Sequence, residues 1–251
     1  MSGGGAKIPA PKGELVVAAT KEEHAALSGE LLAQAIWTAV RERGIARVAL
    51  SGGTTPAEAY RYVSALSLPW DRIEWFWVDE RAVPKDSPRS NFAAAYADLN
   101  LGRPEISPSM VFRMEGEASS LHVAADHYDH TLRERFGIAS AIAFDVMTLG
   151  VGDDGHTASL FPGVGAVGMN DRLVTSVEAQ PEKKLEARIT LTAPVICEAR
   201  LLVVMARGAA KRGALVSAWS TGSEEEIPAR LIQRAKSRVV WVLDREAAGQ
   251  G

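Results

Sequence analysis

The chain has 251 residues, 47 % of them hydrophobic and 24 % charged, with a formal net charge of −3 at pH 7. Such a chain has the composition of a soluble globular protein and can bury a substantial core, and its charge offers no footprint for nucleic acid or an anionic membrane. Cys197 is the sole cysteine, which excludes a disulfide framework and a Cys-rich zinc site, and no apolar run is long enough to span a bilayer.

The Gly- and Pro-rich residues 1–13 read as a flexible leader without the basic and apolar regions of a signal peptide, so a cytoplasmic location is expected. Residues 14–246 read as one domain and 247–251 as a flexible tail. Leu15 to Ala19 predicts a short strand. Thr20 and Glu23 then form a capping box for a helix that runs to Gly44, with Leu27, Leu31, Ile36, Ala39 and Val40 as its buried stripe. Arg47 to Ser51 is the next strand. It ends in Ser51-Gly-Gly-Thr-Thr-Pro56, where Thr55 can cap a helix with Pro56 first and Glu58 third. The amides of Gly52, Gly53, Thr54 and Thr55 then point toward the strand end, an arrangement that binds phosphate. No Gly-Lys-Ser/Thr follows, so this is not a Walker A loop.

Ile73 to Val78 predicts a strand with Trp75 and Trp77 on one face and Phe76 on the other. Asp79-Glu80-Arg81 falls at its carboxyl end, where Arg81 can make a bidentate contact to phosphate. Ser90-Asn91 opens a helix to about Leu99, Val111 to Met114 is a short strand, and Ala118 to Phe136 is a helix. His122, His127 and His130 lie on or near that last helix with no acid cluster, so they read as surface residues. Ile142 to Leu149 has the apolar continuity of a buried parallel strand. Leu173 to Val177 and Ala187 to Thr192 are further strands, Arg188 and Thr190 sharing a face. Pro194 to Ala199 is helical, Leu201 to Ala206 a strand, and Ala209 to Trp219 a helix with Lys211 near its start. Pro228 to Arg234 is helical and Val239 to Leu243 is the last strand.

Alternating strands and helices predict an α/β fold with a mostly parallel sheet flanked by helices, whose ligands bind at the carboxyl ends of the strands. The stretch Gly150-Val-Gly-Asp-Asp-Gly-His156 stands at such an end. Its glycines match G-x-G-x-x-G, but Pro162-Gly163 breaks the long helix that a dinucleotide fingerprint requires. Asp153, Asp154 and His156 could ligate a metal, yet no second histidine or cysteine pair completes a set. The remaining chemical reading makes His156 a general acid or base oriented by Asp154. A solvated loop histidine is the bland alternative.

Ser51-Gly-Gly-Thr-Thr-Pro56, Trp77-Val-Asp-Glu-Arg81 with Val83-Pro84 and Ser90-Asn91, and Leu149-Gly-Val-Gly-Asp-Asp-Gly-His-Thr-Ala-Ser-Leu-Phe-Pro162 resemble the signature blocks of the 6-phosphogluconolactonase family. Arg188-Ile-Thr-Leu-Thr192 and Gly208-Ala-Ala-Lys211 fit its later blocks. The resemblance implies a Rossmann-like fold without a nucleotide, shared with glucosamine-6-phosphate deaminase and ribose-5-phosphate isomerase. It implies hydrolysis of 6-phospho-D-glucono-1,5-lactone to 6-phospho-D-gluconate in the oxidative pentose phosphate pathway. Asp153 departs from the proline expected in many members, beside the motif's Asp154 and His156.

On that resemblance His156 takes a proton from water and later returns it to the ring oxygen, while Asp154 fixes the imidazole. The Gly52-to-Thr55 loop, Asp79, Arg81, Arg188 and Lys211 hold the phosphate and ring hydroxyls. Loop amides around Gly150 to Gly155, or one of the arginines, meet the oxyanion. No metal or organic cofactor is needed, the only partner is the small-molecule lactone, and the chain is a monomer or weak homodimer. The deaminase of the same fold resembles this chain in several blocks but carries a glutamate where Phe161 stands. A sugar-phosphate sensor on this fold carries a DNA-binding domain, for which the short leader leaves no room.

Overall fold

Short runs of β-branched and aromatic residues pair as strands, and the amphipathic stretches between them fold back as helices over the sheet they form. The computed structural model describes residues 9–137, 142–183 and 185–250. Its strands are β1 (Glu14–Ala18), β2 (Ala46–Leu50), β3 (Ile73–Trp77), β4 (Asp79–Arg81), β5 (Val111–Phe112), β6 (Val146–Gly150), β7 (Val174–Val177), β8 (Arg188–Leu191), β9 (Leu201–Ala206) and β10 (Arg238–Asp244). The helices are α1 (Lys21–Arg43), α2 (Thr54–Ser64), α3 (Asn91–Asp98), α4 (Leu121–Phe136), α5 (Ala193–Glu198), α6 (Arg212–Trp219) and α7 (Arg245–Ala248). Seven strands form a parallel sheet in the order β1-β10-β9-β6-β2-β3-β5.

Both faces of that sheet are covered, so its strands are predominantly apolar. Helices α1, α2 and α3 pack on the face that carries Val48, Leu50, Trp75 and Trp77. Helices α4, α5 and α6 pack on the opposite face, with Phe76, Met147, Leu149 and Trp241. Fully buried side chains of this size each contribute roughly 1.5–3 kcal/mol relative to exposure. Beyond β2 the chain moves toward β3, whereas beyond β6 it moves toward β9. The two loops therefore part at the carboxyl ends of neighbouring strands, which opens a crevice there.

A second sheet, absent from the expected architecture, is antiparallel in the order β4-β8-β7. Val78 is the pivot: its N–H donates to the Leu50 carbonyl (2.9 Å) and its carbonyl accepts from the Leu191 N–H (2.8 Å). Asp79 to Arg81 thus form a strand of the second sheet rather than a loop on the rim of the first. The pairing sets Asp79 opposite Thr190 and Arg81 opposite Arg188.

Other differences have local causes. The buried stripe of α1 includes His24, Ser28, Leu32, Ile36 and Ala39, while Leu27, Leu31 and Val40 are half-buried on its flank. Hydropathy does not flag His24, yet its Nε2 lies 3.0 Å from the Val242 carbonyl, a partner that permits burial. The Thr20 cap of α1 forms as expected, its hydroxyl accepting from the Glu23 N–H at 3.1 Å. Residues 247 and 248 belong to α7 instead of a tail, because Asp244 caps them (2.8 Å to the Ala247 N–H) and Ala247 is buried. At the other end Lys12 is held, its carbonyl accepting from Trp241 Nε1 at 2.9 Å. Residues 1–8 of the expected leader and residue 251 lie outside the described residues. Pro228–Arg234 is a 3-10 helix, and the strand expected from Ile142 begins only at Val146. His122, His127 and His130 are exposed and sit beside Asp126, Glu115 and Glu134.

Candidate active site

The crevice at the carboxyl ends of β2, β6 and β9 is a cavity of about 270 Å³. Gly52, Gly53, Thr54, Thr55, Asp79, Arg81, His156, Arg188 and Lys211 all line it. Asp154 is not part of the wall and is held against His156, and Asp153 and Glu80 also lie outside it. Five separate chain segments build this wall, and the two sheets bring them together.

The His156 loop is closed on itself. Gly152 N–H donates to the His156 carbonyl (2.8 Å), Gly155 N–H donates to the Gly152 carbonyl (3.0 Å), and the Thr157 hydroxyl donates to the Gly150 carbonyl (2.9 Å). Within it, His156 Nδ1 lies 2.6 Å from Asp154 Oδ1, which also accepts the His156 N–H at 3.1 Å. The hydrogen bond from His156 pulls the Asp154 carboxyl down to about 2, so it stays ionised. An ionised carboxylate can only accept, which fixes the proton on Nδ1 and leaves Nε2 as a lone-pair acceptor. No protein group among the described residues bonds that Nε2.

Gly152 has a steric reason to be glycine. A Cβ there would lie 2.1 Å from His156 Nδ1 and 2.6 Å from Asp154 Oδ1. Gly152→Ala is expected to lower turnover by about tenfold through displacement of the ring, with the fold retained, since a misplacement near 1 Å is costly in positioning. Steady-state rates and a circular dichroism melt check this; unchanged turnover would show that the ring tolerates the shift.

The phosphate-type loop differs in detail from the expected capping box. Helix α2 begins at Thr54, its cap is Gly53 with φ +105°, and no side chain caps it. Glu58 turns away to pair with Lys21 (2.5 Å) and Arg207 (2.6 Å). The first-turn amides thus remain available to an anion. Asn91 supports this loop closely: a Cβ on Gly52 would meet Asn91 Oδ1 at 1.9 Å, and Asn91 Nδ2 donates to the Asp79 carbonyl at 3.0 Å. Below it, Tyr60 and Ser51 share the Thr148 hydroxyl, at 2.7 Å from Tyr60 and 2.8 Å from the Ser51 N–H. Sequence reasoning missed Tyr60 and Thr148, because neither belongs to a motif and only strand pairing brings them together.

Cations dominate the far wall. Arg81 and Arg188 face each other across β4 and β8, a like-charge pairing that costs stability unless an anion lies between or beside them. Asp79 supplies part of that charge, 3.9 Å from Arg188 Nη1, and is braced by the Ser159 hydroxyl at 2.6 Å. Burial lowers the Arg188 guanidinium below its ordinary value, Asp79 opposes this, and Arg81 adds to it. Arg188 Nε is buried and has no hydrogen-bond partner among the described residues. Arg81 Nη1 donates to the Arg89 carbonyl at 2.5 Å, which holds its fork in place. Lys211 completes the wall and pairs with Asp153 at 2.7 Å.

Glu80, grouped with Asp79 by sequence, takes a different part. It is buried under α3 and accepts from the N–H groups of Arg81, Asn91 and Phe92 and from the Ser90 hydroxyl, each at 2.8 Å. It serves as an internal anion at the α3 N-terminus rather than as a site residue. Phe161 packs its ring 4.5 Å from that of His156, and the Arg188 guanidinium lies 5.5 Å from the Phe161 ring. Among the described residues, no group of three or more His, Cys, Asp or Glu is placed to hold a metal ion, and no helix is long and apolar enough to cross a membrane.

A family model described as glucosamine-6-phosphate isomerases/6-phosphogluconolactonase matches residues 19–241, a span that contains every element of the cavity. The chain belongs to this family. Among its relatives, a 6-phosphogluconolactonase of Synechocystis is 37 % identical over 84 % of this chain and 87 % of its own. One of Nostoc is 36 % identical over 90 % of this chain and 92 % of its own. Among solved structures, the 6-phosphogluconolactonase of Trypanosoma cruzi superposes with a TM-score of 0.84 at 27 % identity, covering 96 % of this chain and 98 % of its own. A monomeric glucosamine-6-phosphate deaminase has a TM-score of 0.76 at 22 % identity, covering 95 % and 100 %, and shares the fold. The α/β fold with its mostly parallel sheet is thus common to lactonases and deaminases of the family, and the side chains must distinguish them.

Proposed function

We propose that this protein hydrolyses 6-phospho-D-glucono-1,5-lactone to 6-phospho-D-gluconate in the oxidative pentose phosphate pathway, with His156 as general base. The observation that supports the mechanism is the His156–Asp154 pair at 2.6 Å, which leaves the ring's other nitrogen, Nε2, free of the carboxylate in a residue that lines the cavity. The lactonase relatives carry the substrate. A water beside Nε2 gives up a proton as its oxygen bonds to the lactone carbonyl carbon. The imidazolium is stabilised by the Asp154 carboxylate. It returns the proton to the ring oxygen as that C–O bond breaks, which leaves a hydroxyl and a carboxylic acid. Acid–base help of roughly 10²–10⁴ is a large share of the task for an ester that already hydrolyses unaided. The α2 amides, Arg81, Arg188 and Lys211 hold the phosphate and ring hydroxyls.

Phe161 favours this reading over deamination. An apolar ring fills the position next to His156 where the deaminase motif carries a glutamate. Deamination of glucosamine 6-phosphate releases ammonia, whereas lactone hydrolysis near neutral pH releases one proton per turnover. Fresh 6-phosphogluconolactone, generated in place by glucose-6-phosphate dehydrogenase, is expected to decay faster with this protein than without it. Protons should be released, a chelator should not alter the rate, and the amino sugar should yield no ammonia. Ammonia production, or lactone decay at the spontaneous rate, would overturn the assignment.

A further inference from the structure

The three carboxylates nearest the cavity are committed to different partners. Asp154 holds His156, and Asp79 is braced by Ser159 and faces Arg188. Asp153, one residue before Asp154, instead reaches across the cavity mouth to Lys211 Nζ at 2.7 Å. Among the described residues this is the only ion pair either of them makes. Asp153 is 68 % exposed and carries no other side-chain hydrogen bond, whereas Lys211 is only 28 % exposed and lines the cavity. The carboxylate can swing into water at little cost, while the ammonium stays on the wall.

We propose that Asp153 sets the affinity of the site: it is an internal anion that occupies Lys211 in the free protein and must be displaced by the anionic group of the ligand. This rests on the lactonase reading only in that the cavity takes a phosphate ester. A phosphate offers more oxygens and more charge than one carboxylate, so it wins the exchange. The contact it gains at Lys211 is reduced by whatever the Asp153 pair was worth. For an exposed pair that is about a two- to fivefold change in affinity. The consequence is a site that holds phosphate esters less tightly and exchanges them faster than its three cations alone would dictate.

The test is calorimetric titration of the full chain with 6-phosphogluconate, inorganic phosphate and gluconate. Asp153→Asn keeps the size and turn preference of the side chain at the centre of the Gly152–Gly155 turn, and Asp153→Ala removes it altogether. Both variants are expected to bind 6-phosphogluconate and phosphate about two- to fivefold more tightly, with gluconate unchanged. The gain should shrink with added salt and vanish in a Lys211→Ala background, the signature of a direct pair. Variants that bind phosphate compounds no tighter or more weakly, or gain equally for gluconate, would overturn the role of Asp153. A parent that binds neither phosphate compound would overturn the phosphate-cradle reading, and this inference with it.

Discussion

Replacing His156 with alanine is expected to lower turnover by about 10²–10⁴ while leaving the fold and the affinity for 6-phosphogluconate nearly intact. The reason is structural. Among the described residues the His156 ring is hydrogen-bonded only to Asp154, and the Gly152–His156 backbone contact that closes the loop does not involve the ring. Removing the imidazole therefore takes away the proton acceptor without unseating the cation wall opposite. Asp154→Asn should act in the same direction but more mildly. It should also move the acid limb of the pH–rate profile to lower pH, because a neutral amide stabilises the imidazolium less than a carboxylate does. In the parent, the hydrogen bond from His156 keeps Asp154 charged down to about pH 2. The depressed carboxyl also favours the folded loop above its ordinary range near 3.8, a contribution lost only as pH falls through about 2. An alanine variant with more than half the parent's catalysed rate would end the claim that His156 is the base.

Removing either Arg81 or Lys211 is expected to weaken 6-phosphogluconolactone far more than glucono-1,5-lactone, which has no phosphate. Each charge-assisted contact is worth roughly 1.5–3 kcal/mol, or about one to two decades in affinity. The two losses should differ in their side effects. Arg81 stands opposite Arg188 in the strand ladder, so its removal relieves a like-charge contact and should cost little stability. Lys211 gives up its pair with Asp153, exposed enough that the melting temperature should barely move. Steady-state kinetics on both lactones and a thermal melt separate these effects. Equal losses on the two lactones would place these cations at the reacting carbonyl instead.

Much of the site was legible in the sequence because its parts are short, contiguous and chemically distinctive. A strand that ends in glycines followed by Asp154 and His156 predicts an oriented base, and Gly52 to Thr55 before a helix predicts an anion cradle; His156 and that loop line one cavity. The alternating strands and helices likewise determined the parallel sheet, since apolar runs with no polar face must be covered on both sides. The resemblance to the family added the substrate, which no spacing of residues can supply.

Three features depended on the tertiary structure. Arg81 opposes Arg188 only because the chain leaves the first sheet at Val78 and pairs anew with β8, a long-range register that local periodicity does not encode. Glu80 and Asp79 are neighbours with identical charge and opposite fates. One is buried under the N–H groups of α3 and the other faces the cavity, because successive side chains of a strand point to opposite sides. Asp153 and Lys211 meet across the mouth through the packing of two loops remote in sequence. Sequence determined which groups the protein carries and the local turns that present them. Which of those charges meet, and which are spent on the fold, was decided by strand pairing, since Coulomb interactions act over a few ångströms of space regardless of distance along the chain.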